Sequence, residues 1–261
     1  MPVSTIFHIP HASTVIPAEH RAAFLLSDSE LGDQVLCMTD HFTDELFNLP
    51  DRSVQRIVYP VSRLVLDPER FLDDAQEPMA KKGMGVIYEK TVDGRLLRDK
   101  PTEKERAELL ERYYHPHHQK FTEAVDHVLA ATGRCLIIDC HSFPDAPLPY
   151  EDDQNPNRPD ICIGTDSFHT DEVLSILTFK VFQEVGFSVA FNRPFAGTIV
   201  PMKYYRCTKA VQSIMIEINR KLYMNEETDE KLSSFDEFAG SVQGCLTKLL
   251  SDYLRQTGTH H

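Results

Sequence analysis

The chain has 261 residues, with 27 Lys+Arg against 40 Asp+Glu and a formal net charge of −13. That balance argues against nucleic acid and anionic membrane surfaces as partners, since both need clustered Lys and Arg. At 41% hydrophobic residues the chain is too apolar for disorder and long enough to bury a core without disulfide or metal staples, so one domain over 1–261 is expected.

In chain order, Thr5–Ile9 reads as a strand, short and almost continuously apolar, as for a strand buried on both faces. Asp33–Leu46 follows as a helix, with apolar residues at 35, 36, 38, 42 and 46. Gln55–Tyr59 is a second buried strand. Asp67–Pro101 is a loop insertion in which Gly85–Thr91 and Arg95–Arg98 flank Asp93-Gly94 like a hairpin. Thr102–Ala131 is a long amphipathic helix opened by the capping pair Thr102 and Glu105. Cys135–Asp139 is a third buried strand, followed at its exit by a Pro-, Asp- and Asn-rich loop, Phe143–Pro159. Two weaker strands, Ile161–Gly164 and Ser188–Asn192, flank a helix over Asp171–Val185 that ends at Gly186. Ser213–Ile218 is the last buried strand and Phe235–Leu254 the last helix. Strands alternating with helices give an α/β fold with a mixed, mostly parallel sheet. Ligands in such sheets bind beyond the carboxyl ends of the strands, next to loops such as 67–101 and 143–159.

No stretch reaches the ~18 apolar residues of a membrane span. Met1 to Pro10 has no basic region, long apolar core or small-residue cleavage site, so no secretory signal is expected. The cysteines at 37, 135, 140, 162, 207 and 245 lie far apart and are expected to be free thiols, mostly in the core of a cytoplasmic chain. The terminal Thr259-His260-His261 enters none of the assignments below.

Four features carry chemistry. His11 leaves the first strand, and His141, in Asp139-Cys140-His141-Ser142, leaves the third. Glu217 stands inside the apolar run Ile214-Met215-Ile216-Glu217-Ile218, where a carboxylate is rarely buried unless paired or functional. The alternative is an ion pair with Arg220 or a place at a sheet edge. Asp40 and Asp44 are four residues apart, so on one helix they share a face and repel unless a cation joins them; the alternative is a solvated acidic face. Two histidines, a carboxylate ligand and a further acid are the ingredients of a catalytic zinc site, which keeps three protein ligands and one open position. There is no HExxH, so such a site is assembled from distant segments.

From Pro10 to about Met224 the sequence resembles the N-formylglutamate amidohydrolase family, whose fold is similar to those of zinc carboxypeptidases and aspartoacylases. The matching stretches are Pro10-His11-Ala12-Ser13, Asp40 through Phe47, Ser62 through Arg70, Gly85-Val86-Ile87-Tyr88, Pro116-His117-His118, Asp139 through Ser142, Asp160 through Thr165, Asn192 through Gly197, Glu217 through Arg220, and Leu222-Tyr223-Met224. Their order and number make the match specific. The resemblance implies a three-layer α/β/α, carboxypeptidase-like fold and metal-dependent hydrolysis of the amide of an N-formyl or other N-acyl amino acid. It implies a Zn2+ ion held by His11, His141 and Asp44, with Asp40 as the alternative carboxylate. Glu217 would be the general base, with Arg63 in the catalytic set. Arg70, Asn192, Arg193, Arg220 and His118 would bind substrate, since a guanidinium fork suits a carboxylate. The family usually reads Pro-His-Ser-Gly where this chain has Pro10-His11-Ala12-Ser13, and Gln where it has Met215. Both changes adjoin the implied site and bear on substrate identity.

Competing readings attach to the same residues. Arg70 alternatively pairs with Asp67 or Asp73, and Arg220 alternatively braces the Asp pair. Of His115, His117 and His118 at most one is assigned a role, because neighbours on a helix point in different directions. A Cys140 nucleophile with His141 as base conflicts with the alternation of a strand. Another amide as substrate, or a non-catalytic small-carboxylate-binding protein, remain the rival functions. With an anionic substrate and an acidic chain, a small basic pocket is expected.

Overall fold

The computed structural model describes residues 4–257; His260 and His261 lie outside them. Six strands form the central sheet: β1 (Thr5–Ile9), β2 (Val54–Val58), β3 (Cys135–Phe143), β4 (Ile161–Gly164), β5 (Val189–Phe191) and β6 (Val211–Asn219). Their order is β2-β1-β3-β6-β4-β5, parallel except where β4 runs antiparallel to β6. A short hairpin, β7 (Met224–Asn225) with β8 (Glu230–Lys231), stands apart. This is the mixed, mostly parallel sheet that the alternation of elements predicts.

Strand alternation divides the side chains between two layers. On one face Phe7, Ile9, Ile138, Cys140, Ile216 and Ile218 pack against α2 (Thr43–Leu46), α5 (Glu172–Glu184) and α6 (Phe235–Thr257). On the other, Ile6, Ile137 and Val211 pack beneath α4 (His115–Thr132) through Phe121, Val125 and Val128. His8, Asp139, His141 and Glu217 share the parity of this second set, so these four side chains project to the α4 side of the sheet.

Two helices differ from their sequence reading in ways that matter for the site. The helix expected over Asp33–Leu46 is α1 (Asp28–Met38) and α2, with a break between them. α1 begins earlier than its apolar period suggests because Ser27 and Glu30 form a capping box. The break opens at Thr39, whose extended backbone ends α1, and closes at Phe42, which adopts a left-handed φ of 61° ahead of α2. The helix expected over Thr102–Ala131 is α3 (Glu103–Leu109), a π turn at Leu110–Tyr114, and α4. Thr102 and Glu105 do form the capping box of α3. Pro116 sits in the first turn of α4 and has no N–H for the preceding turn, which the π turn accommodates. The 85–98 segment closes into a turn at Asp93-Gly94 with a single Lys90–Leu96 bridge rather than two paired strands. All six cysteines are free, and four of them, at 135, 140, 162 and 245, are buried.

The loop 143–159 is held by a buried ion pair. Arg158 donates to Glu151, with side-chain exposures of 1% and 2%, and also to the Pro144 carbonyl at 2.9 Å. Glu151→Ala leaves that guanidinium buried without its counter-charge. It is expected to cost about 3 kcal/mol, read as a lower denaturation midpoint in urea at unchanged m-value.

Candidate active site and metal centre

The sheet register brings the polar residues side by side. His8 on β1 is paired with Asp139 on β3, and His141 on β3 with Glu217 on β6. His11 lies just past the end of β1, and its carbonyl accepts the Asp40 amide at 2.9 Å, which ties the α1–α2 break to the sheet. A cavity of about 480 Å³ opens over these strand ends. His11, Asp40, Arg63, Glu69, Arg70, His118, Asp139, His141, Glu217 and Arg220 all line it.

Two imidazoles and one carboxylate converge there. His141 Nε2 lies 3.2 Å and His11 Nε2 3.8 Å from Glu69 Oε2. One donor atom from each of the three falls within 4.8 Å of the others, as metal ligation requires. Behind the rings, Asp40 Oδ2 lies 3.0 Å from His141 Nδ1 and 3.7 Å from His11 Nδ1. A carboxylate on the far nitrogen of an imidazole is what orients a metal-binding histidine. Burial opposes charge on Asp40, yet His11 and His141 hold its carboxyl far below the usual range. For His141 burial favours the neutral ring, but Glu69 and Asp139 hold its pKa well above the usual value. The buried carboxylates thus draw positive charge into the site. The donor set, two imidazole nitrogens and a carboxylate oxygen, fits a divalent ion of the zinc class.

Glu69 was not singled out by the sequence reading. It lies in the 67–101 loop, where no periodicity marks which side chain faces inward. Its position is set by Asp67, whose Oδ1 accepts the Glu69 amide at 2.9 Å in an Asx turn. Asp67 also receives His11 Nε2 at 2.9 Å, Arg63 Nη2 at 2.8 Å and the Tyr88 hydroxyl at 2.5 Å. His118 Nε2 donates to the Pro68 carbonyl at 2.7 Å, so α4 pins the same turn. Asp139 was likewise passed over, although it is an acid in an apolar strand just as Glu217 is.

Asp44 does not join the site. It sits on α2, partly exposed, and its backbone carbonyl accepts from Arg56. The expected Asp40–Asp44 face assumed one unbroken helix, and the turn at Phe42 removes it. Asn192 and Arg193 also lie elsewhere. Both are exposed at the end of β5, where the Asn192 side chain bonds across to Thr165, just past the end of β4. The sheet order places β5 at an edge, two strands beyond β6.

Glu217 faces the cavity from a central strand. Its Oε2 is buried without a partner, and burial pushes its carboxyl up to about 8. Arg220 does not pair with it. Its three nitrogens go to Ser142 Oγ, the Cys37 carbonyl and Asp40 Oδ1 at 3.3, 2.8 and 3.2 Å. Arg220 is therefore a brace for Asp40. Arg63 and Arg70 both approach Asp67, at 2.8 and 3.6 Å, and among the described residues no hydrogen bond engages Nη1 of either. Cys140 points to the opposite face of the sheet, and burial pushes its thiol far above the usual range, so it is no nucleophile for this cavity. The lining carries three arginines, at 63, 70 and 220, against acids at 40, 69, 139, 166 and 217. The pocket is thus mixed in charge rather than simply basic.

A family model of the N-formylglutamate amidohydrolases matches residues 3–224. The solved structure of N-formylglutamate amidohydrolase from Ralstonia eutropha JMP134 is similar at 24% identity and a TM-score of 0.85, over 99% of this chain and 96% of that one. A gene product of Agrobacterium tumefaciens is similar at 19% identity and a TM-score of 0.66, over 96% and 92%. At these identities the likeness speaks for the fold. No curated protein matches the chain. With the family model spanning most of its length, this chain belongs to the N-formylglutamate amidohydrolase family.

Proposed function

We propose that the protein is a metal-dependent amidohydrolase that cleaves the amide of an N-formyl or other N-acyl amino acid, N-formylglutamate being the first candidate. The observation that carries this reading is the convergence of His11, Glu69 and His141 beside the unpaired Glu217. A divalent ion held by those three residues, zinc first among candidates, supplies Lewis acidity toward the amide carbonyl and lowers the pKa of water to about 7. Glu217 takes the proton of the attacking water and passes it to the departing amine nitrogen, the two duties of one carboxyl. Asp40, braced by Arg220, keeps the His141 imidazole in the orientation that presents its ε nitrogen. Nη1 of Arg63 and Arg70 receives the substrate carboxylate. Six free thiols suit a reducing compartment, and we place the protein in the cytoplasm.

The test is metal analysis and amide hydrolysis on one purified sample, with formyl, acetyl and succinyl amino acids as the panel. Metal-dependent release of the free amino acid is expected from at least one member, with the formyl compounds fastest. Binding without turnover in metal-replete protein would replace the enzyme reading with that of a carboxylate-binding protein.

A further inference from the structure

We propose that a second divalent cation binds between His8, Glu69 and Asp139, with Glu69 bridging it to the first. The proposal rests on the metal reading of His11, Glu69 and His141. His8 Nδ1 lies 3.3 Å from Glu69 Oε1 and 3.1 Å from Asp139 Oδ1, and one donor atom from each of these residues falls within 4.8 Å of the others. Glu69 turns its other oxygen, Oε2, toward His141 and His11. Its two oxygens thus face two different histidine sets, as in a bridging carboxylate. Asp139 repeats the pattern, with Oδ1 3.1 Å from both His8 Nδ1 and His141 Nε2. Glu69 Oε1 is the buried oxygen that has no hydrogen-bond partner, and it points into this space.

His8 is held as a ligand would be. It is fully buried, and it stacks on Phe121 at 4.6 Å with the rings 10° from parallel. Its Nε2 lies 2.9 Å from His117 Nε2. When His8 donates that N–H to His117, its Nδ1 lone pair faces two carboxylate oxygens, a repulsive contact without a cation between them. A ring nitrogen fixed by a partner on the far side is the usual support of a metal-bound imidazole. One imidazole and two carboxylates suit zinc, manganese or cobalt. Ions sharing ligands in two-metal hydrolases sit about 3.5–4 Å apart, compatible with a single bridging carboxylate. Acids outnumber arginines around the cavity, so an anionic substrate gains from a further positive charge. The rival occupant of the space is a proton on His8 Nδ1, shared with Asp139.

Stoichiometry separates the two. Metal-free full-length protein is titrated with Zn2+ alone, and bound zinc is counted by elemental analysis after gel filtration and by calorimetry. Two equivalents per chain are expected, in two steps, with Tm still rising across the second. His8→Gln is expected to lose the second step and keep the first. One equivalent in the wild-type protein, or two in His8→Gln, overturns the proposal. No uptake at all overturns it together with the first site. The wild-type count and its Tm profile decide the matter even where His8→Gln does not fold.

Discussion

Replacing Glu217 with Gln is expected to lower kcat by about 10²–10⁴-fold, the range that a positioned general base contributes. Gln has the shape of Glu and can still accept and donate hydrogen bonds, but it cannot carry a proton from water to an amine. The structure gives this substitution little else to disturb. Glu217 makes no ion pair with Arg220, and its Oε2 has no hydrogen bond to lose. Metal content should therefore match the wild-type protein. Stability should be equal or higher, because a buried carboxyl without a partner is costly to keep ionised. Elemental analysis, denaturant unfolding and steady-state kinetics on the variant check all three. Normal turnover in Glu217→Gln would remove the residue from the mechanism.

The second large effect is expected at Glu69. Loss of an outer partner of a metal ligand typically costs about 10–100-fold in metal affinity, so loss of the ligand in Glu69→Ala is expected to cost more than that. Asp44→Ala is expected to retain its metal. The two substitutions together decide which acid completes the site. Metal loss in Asp44→Ala with retention in Glu69→Ala would restore the acid that sequence spacing favoured. Asp67 makes the comparison clean, since its Asx turn depends on the Glu69 amide and not on the Glu69 side chain.

Much of the sheet was legible because buried strands are short apolar runs bounded by polar turns. β4, at Ile161–Gly164, falls where its composition places it, and Thr5–Ile9 is the first strand as read. His141 and Glu217 were legible for a related reason, since polar residues in apolar strands stand out. β3 nevertheless runs on to Phe143, past Asp139, so His141 lies within the strand rather than at its exit. What the sequence concealed were breaks in regular structure. Periodicity carried one helix straight through Thr39–Phe42, whereas the extended Thr39 and the left-handed Phe42 break it on either side of Asp40 and set that residue apart from Asp44. Glu69 was hidden by the opposite circumstance: in an irregular loop, hydrogen bonds to Asp67 and His118 decide which side chain turns inward. Asn192 and Arg193 show the cost of reading motifs without sheet order, because a strand end at the edge of a sheet is distant from one at its centre.

The neighbouring places of β1, β3 and β6 have a consequence for the protein's life in the cell. Central strands of this kind exchange their amide hydrogens only when the whole domain opens. On the metal reading, the ion is held by residues that come together only when that opening is closed. Its binding free energy is then also folding free energy. Free metal at a thousand times its Kd adds about 4 kcal/mol to the resistance of the chain to unfolding. Metal supply would then govern more than the fraction of molecules that turn over substrate. It would set how often the chain opens to proteases, and so how long each copy survives.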